Sequence, residues 1–188
     1  MFIDLPRFYI KDIEMLRFLK PLVLISIIFV SGCVTTKNVN LSNTFDPLLT
    51  ESMLAKGNNK IVGSALIRQK GGGVVTCAGS QVSLVPETPY SYERIRSIYG
   101  NSKKGFVTVG PKKVKVNFKP NPPQYSELLR TSVCDVQGYF KFEDVADGSF
   151  FVISSIIWQV NNYYNEGGVI MHNVKVSGGE VKELVLAP

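Results

Sequence analysis

The sequence predicts an all-β fold, a sandwich of seven to eight short strands with one short helix inserted. Three observations carry this. Apolar residues recur in short runs, several of them alternating so that every second side chain shares a face. Glycines (16) and prolines (10), spread along the chain, divide those runs with turn signals. An apolar content of 45% with 11% aromatics is ample for a packed core, and 188 residues fit one domain plus accessory segments.

The first element precedes that domain. Residues 22–30, Leu-Val-Leu-Ile-Ser-Ile-Ile-Phe-Val, follow Arg17 and Lys20 and lead into Ser31-Gly32-Cys33. A charged start, a short apolar helix and small residues before a cut describe a secretory signal. The run is too short to span a bilayer, which needs about 20 residues. Its end, Val30-Ser31-Gly32-Cys33, resembles the lipobox of bacterial lipoproteins. The resemblance implies that residues 1–32 are removed and that Cys33 carries the lipid anchor. Met15 would open a signal of ordinary length, so Met1 and Met15 both stand as starts. Val34 in place of aspartate implies, by the same resemblance, the outer membrane, with the domain facing the periplasm.

Residues 33–59 are rich in Thr, Asn, Ser and Lys and are expected to form a flexible tether. Inside them, Asp46 and Pro47 have the marks of a helix cap and first turn. The folded module is expected over 60–188. Ile61–Arg68 reads as its first strand, broken by Gly71-Gly72-Gly73, and Gln81–Pro86 as its second. Thr88, Pro89 and Gly100 bracket the inserted helix, with Tyr92, Ile95, Ile98 and Tyr99 at three-to-four spacing. Gly105–Val109 and Lys113–Phe118 are expected to pair as a hairpin around Gly110-Pro111. Ser126–Val133 reads as a further strand.

The segment 134–159 holds two turns and two strands. Asp135–Gly138 has the acceptor and glycine of a four-residue turn, and Phe140 and Phe142 then share a face. Asp147-Gly148 launches a long apolar run from Phe150 to Trp158. Asn161–Gly168 is polar and reads as a loop, followed by a last pair of strands over 169–176 and 181–186.

Two motifs, Asp135-x-x-Gly138-Tyr139-Phe140-x-Phe142 and Asp147-Gly148-Ser149-Phe150, resemble the carboxypeptidase regulatory-like domain. That family is a seven- or eight-stranded transthyretin-like, Ig-like sandwich, so the resemblance implies this fold over about 60–187. Gln137 and Phe150 depart from the residues usual there. The motif speaks to fold and is silent on function.

Candidate chemistry is sparse. With Cys33 lipidated in an oxidising compartment, Cys77 and Cys134 are the remaining even pair and are expected to form a disulfide, two free thiols being the alternative. Lys103, Lys104, Lys112, Lys113, Lys115 and Lys119 are the densest charge, a surface for anionic lipid headgroups, an acidic glycan or an acidic partner, or else a solvated strand edge. Trp158, Tyr163 and Tyr164, with Asn161 and Asn162, could stack on sugars at one end of the sandwich, or Trp158 closes the core. His172 is the sole histidine and has no ligand partners in sequence, so no metal is expected. Glu143, Asp144 and Asp147 lack calcium-loop spacing. No nucleophile–base set and no cofactor motif appear, so no enzyme is expected.

The formal charge is +6 over the whole chain and +5 from Cys33 onward (17 Lys+Arg against 12 Asp+Glu), so the excess belongs to the exported domain. Export argues against nucleic acid as its target. The expected function is therefore a non-catalytic outer-membrane lipoprotein presenting a β-sandwich to an envelope protein, with carbohydrate or peptidoglycan binding as the alternative.

Overall fold

The computed structural model describes residues 35–110, 114–161 and 164–188. Cys33, Lys112, Lys113, Asn162 and Tyr163 lie outside the described residues, as does the signal segment.

The elements run β1 (Thr35–Asn40), α1 (Pro47–Leu54), β2 (Lys56–Arg68), β3 (Val74–Thr76), β4 (Gln81–Pro86), α2 (Pro89–Tyr99) and β5 (Lys104–Thr108). They continue with β6 (Val114–Lys119), α3 (Gln124–Glu127), β7 (Arg130–Val133), β8 (Tyr139–Val145), β9 (Gly148–Val160), β10 (Tyr164–Val176) and β11 (Val181–Leu186). The fold is an all-β sandwich. One sheet has the order β5-β10-β9-β4-β7. The other centres on β2, with β11 parallel along one edge and β8 and β3 antiparallel along the other.

Alternation builds the core. Ile61, Ala65 and Ile67 of β2 and Phe140 and Phe142 of β8 point inward from one sheet. Val82, Leu84, Phe150, Val152, Ile156, Ile170 and Val174 meet them from the other. β9 is buried on both faces, because α2 covers the outside of its sheet. Phe151 and Met171 pack there against Val85 and Ile95 of α2's cluster. Two-sided burial is why 150–153 reads as an unbroken apolar run rather than an alternating one.

Several expected signals operate as local chemistry predicts. Thr88 caps α2 in a reciprocal pair with Ser91, and Gly100 ends it at φ +76°. Asp135 Oδ1 accepts from the Gln137 and Tyr139 amides, closing the turn before β8. Cys77 and Cys134 form a disulfide with their Cα atoms 5.8 Å apart, joining the turns before β4 and β8. Asn59, 1% exposed, ties two turns to β2: it donates to the Val145 carbonyl and to Asp147 at the β8–β9 turn, and accepts from the Gly179 and Glu180 amides of the β10–β11 turn.

Three expectations fail. The flexible tether over 33–59 does not hold for 35–59, which are built into the domain. β1 pairs in parallel with β6, from Thr35↔Val114 to Asn40↔Lys119. The Glu93 carboxylate then accepts from the Ser42 and Asn43 amides and the Asn43 side chain, and Asp46 caps α1 through the Leu49 amide. Those contacts hold Glu93 below the usual carboxylate range. The polar composition that resembles a spacer is thus spent on hydrogen bonds to the body of the domain. Phe45 adds an apolar fastener against Tyr90 and Tyr125, with ring centroids 5.5 and 5.7 Å away.

The hairpin also fails. β5 pairs with β10 and β6 with β1, so the two arms belong to different sheets. Phe118 of β6 lies under the Arg94 guanidinium, 4.1 Å from its ring centre, and Arg94 also faces Tyr125 at 4.5 Å. Burial pushes the Tyr125 hydroxyl up to about 12. Finally, the expected loop 161–168 ends early. β10 begins at Tyr164 and pairs with β9 along its whole length.

Candidate functional site

The extended β9–β10 ribbon projects a cleft at one end of the sandwich. Its volume is about 550 Å³, and its lining comes from the β2–β3 turn, the end of β5 and the ribbon. Trp158 and Phe106 are its aromatic residues, both half-buried and both packed on the edge of the main core.

Two consecutive glycines make room for these rings. Gly167 sits at φ +105°, and a Cβ there would run into the Ile156 carbonyl and the Trp158 ring. A Cβ on Gly168 would meet the Phe106 ring and the Val107 carbonyl. The Gly167-Gly168 pair therefore lets Trp158 and Phe106 lie close against β10. Sequence reasoning missed Phe106 and read the glycines as loop residues. The signal was available in a Gly-Gly pair followed at once by a β-branched strand, which marks close approach to a backbone.

Polar groups form the walls. Arg68 and Lys70 stand on the β2–β3 turn with Gln69 between them, and Glu166 pairs in register with Trp158 across the ribbon. The turn is held by the Gln69 amide on the Gly73 carbonyl at 2.8 Å and by the Gly72 amide on the Gln69 carbonyl at 3.0 Å. Gly72 is at φ +89°, so the triple glycine shapes one wall of the cleft. Among the described residues, Arg68, Lys70 and Glu166 enter no ion pair.

A second hollow of about 390 Å³ lies where β7 meets the outer face of β2, β8 and β11, lined by Val133, Tyr139, Lys141 and Glu183 among others. Its polar groups are mostly engaged. Asp135 holds its own turn, and Lys141 pairs with Glu143 at 3.5 Å. On the same strand β7, Arg130 donates to the Glu143 and Asp144 carbonyls. The hollow is more a seam between sheets than a built recess.

The chain has a known structural likeness. It superposes on a crystal structure of a "putative carbohydrate binding protein" from Pseudomonas aeruginosa with a TM-score of 0.59 and 20% sequence identity. The match covers 78% of this chain and 99% of that one. At that identity the likeness establishes the fold. No protein-family model matches the chain, and no curated protein matches it in sequence.

The residues singled out in the sequence fall in separate places. Tyr164 is exposed at the start of β10, opposite Val160, near the cleft end of the ribbon. Lys115 is exposed on β6 in the β1–β6 pair, and Lys104 lies on β5 opposite His172. The lysines that can be placed therefore do not form one hairpin surface. His172 is half-buried with its Nε2 3.4 Å from the Ala187 carbonyl, and burial lowers its pKa below 6.5. Among the described residues no group of three or more His, Cys, Asp or Glu side chains gathers to hold a metal. What the end cleft offers is a stacking surface with hydrogen-bonding walls. That arrangement suits retention of a flat, hydroxyl-bearing ligand.

Proposed function

We propose that this chain is a carbohydrate-binding β-sandwich module of the carboxypeptidase regulatory-like kind, held at the outer membrane by a lipid on Cys33 and facing the periplasm. The observation that carries the ligand class is the end cleft, where Trp158 and Phe106 offer apolar ring surface between polar walls. Sugars present apolar C–H faces ringed by hydroxyls, so an aromatic floor with charged and amide rims meets both halves of their surface. The likeness to a protein described as carbohydrate binding supports the same class.

Trp158 is the only tryptophan in the sequence, so its fluorescence reports on the cleft alone. Titration with soluble oligosaccharides and peptidoglycan fragments is expected to shift and saturate that emission. A flat response across the panel, together with no retention on purified sacculi, rejects the carbohydrate reading. Metabolic labelling with an alkyne fatty acid tests the anchor: wild type takes label and Cys33→Ser does not.

A protein partner is the second reading. It is favoured by Val133, Tyr139 and Val185, which stand exposed on the outer face beside the 390 Å³ seam. Stoichiometric capture of an envelope protein, abolished by Tyr139→Ser and untouched by Trp158→Phe, would select it over the sugar.

A further inference from the structure

Building on the carbohydrate reading of the end cleft, we infer that its ligand is an acidic glycan, whose carboxylates meet Arg68 and Lys70 while its hydroxyls face Glu166. The charges are divided by wall. Both cations stand on the β2–β3 turn, and the carboxylate stands on β10 beside Trp158. None of the three has an ion-pair partner among the described residues. The β2–β3 turn is therefore a cationic shelf beside the aromatic floor, with no ion-pair partner among the described residues.

A neutral sugar leaves that shelf facing water and gains only ordinary hydrogen bonds. A uronate gives Arg68 a planar partner for its fork of donors and gives Lys70 a counter-charge. Gln69, between them, offers an amide that can both donate and accept. Glu166 sets the limit on charge. A carboxylate beside the stacking ring accepts hydroxyl hydrogens and repels a densely charged phosphate polymer, which argues against nucleic acid and for a chain with widely spaced charges. The net charge of +5 from Cys33 onward adds a long-range attraction for such polymers.

The test uses matched pairs: uronate-containing trisaccharides of several backbones, each beside its carboxyl-reduced neutral form, read through Trp158 emission in low salt. For at least one backbone the acidic member is expected to bind about tenfold tighter or more, the range of one to two charge-assisted contacts. The advantage shrinks as salt is raised. It falls to near unity in R68Q/K70Q, whose substitutions lie on exposed turn positions and leave the melting temperature in place. Glu166→Gln, by removing a repulsive charge, is expected to widen the preference for the acid. Neutral members binding as tightly as their acidic partners overturn the acidic assignment and leave carbohydrate binding standing. A Trp158 signal that no member moves overturns both. An acidic preference that survives R68Q/K70Q at full size shows that the charges act elsewhere and overturns the assignment to this shelf.

Discussion

Replacing Asn59 by alanine removes one side chain and loosens two turns. Asn59 Nδ2 lies 2.9 Å from the Val145 carbonyl and 2.8 Å from Asp147 Oδ1, and its Oδ1 lies 2.8 Å and 3.0 Å from the Gly179 and Glu180 amides. At 1% exposure the site admits little water to replace them. A buried hydrogen bond contributes about 1 kcal/mol net, and each orphaned buried partner costs about 1–3 kcal/mol. Asp147 keeps its contact with the Gly178 amide, so the orphans are the Val145 carbonyl and two amides. Asn59→Ala is therefore expected to cost about 4 kcal/mol, close to the whole stability of a weak domain. The assay is equilibrium urea unfolding, with a lower midpoint at unchanged slope. Asn59→Asp serves as a partner variant. It keeps the acceptor for Gly179 and Glu180 but sets a carboxylate against Asp147 and a carbonyl, so it should be at least as harmful at neutral pH and recover partly in acid. A loss below about 1 kcal/mol for Asn59→Ala, with no pH dependence in Asn59→Asp, would refute the idea that this hub holds the turns together.

Four further outcomes are expected. Removing the Cys77–Cys134 bridge as a double alanine variant frees a loop with a sequence separation of 57 residues, and should lower stability by about 4 kcal/mol on chain-entropy grounds; equal melting of oxidised and reduced protein would contradict it. Gly167→Ala should cost about 2–3 kcal/mol from its positive φ and displace Trp158, seen as a red-shifted emission; an unchanged spectrum would detach the glycine from the ring. The depressed Glu93 carboxyl contributes stability that is present above its ordinary value of 4.5 and lost as pH falls through its folded value, so the Ser42 and Asn43 amide resonances should titrate together with a midpoint below 4.5. Ser154 Oγ is buried with no hydrogen-bond partner among the described residues, so Ser154→Ala should be neutral or stabilising by up to about 1 kcal/mol in the same urea assay.

What could be read from the chain depended on range. Signals closing over a few residues are legible: Thr88 with Ser91, the Asp135 turn, the Phe140/Phe142 face and the Asp46 cap all act locally. The partner of a strand is a different matter. Lys113–Phe118 alternates as a strand should, but nothing in that alternation says that β1 rather than β5 lies beside it. The spacer composition of 35–45 misled for a related reason, because the residues that satisfy it, Glu93 and the β6 backbone, are about 50 or more positions away in sequence. The cleft was half legible. Trp158 stood out by type, while Phe106, Arg68 and Lys70 reach it only through the pairing of β5 with β10 and the fold of the triple-glycine turn.

The docking of residues 35–43 gives the N-terminal lead two working lengths. Clasped, the lead hands a pull at Thr35 to the body through the β1–β6 ladder and then through Ser42 and Asn43 on Glu93. Released, the same residues pay out about 30 Å of extended chain while the disulfide-stapled sandwich stays whole. The fasteners sit in series outside the two main sheets, so a pull at Thr35 is expected to lengthen the lead before it opens the sandwich.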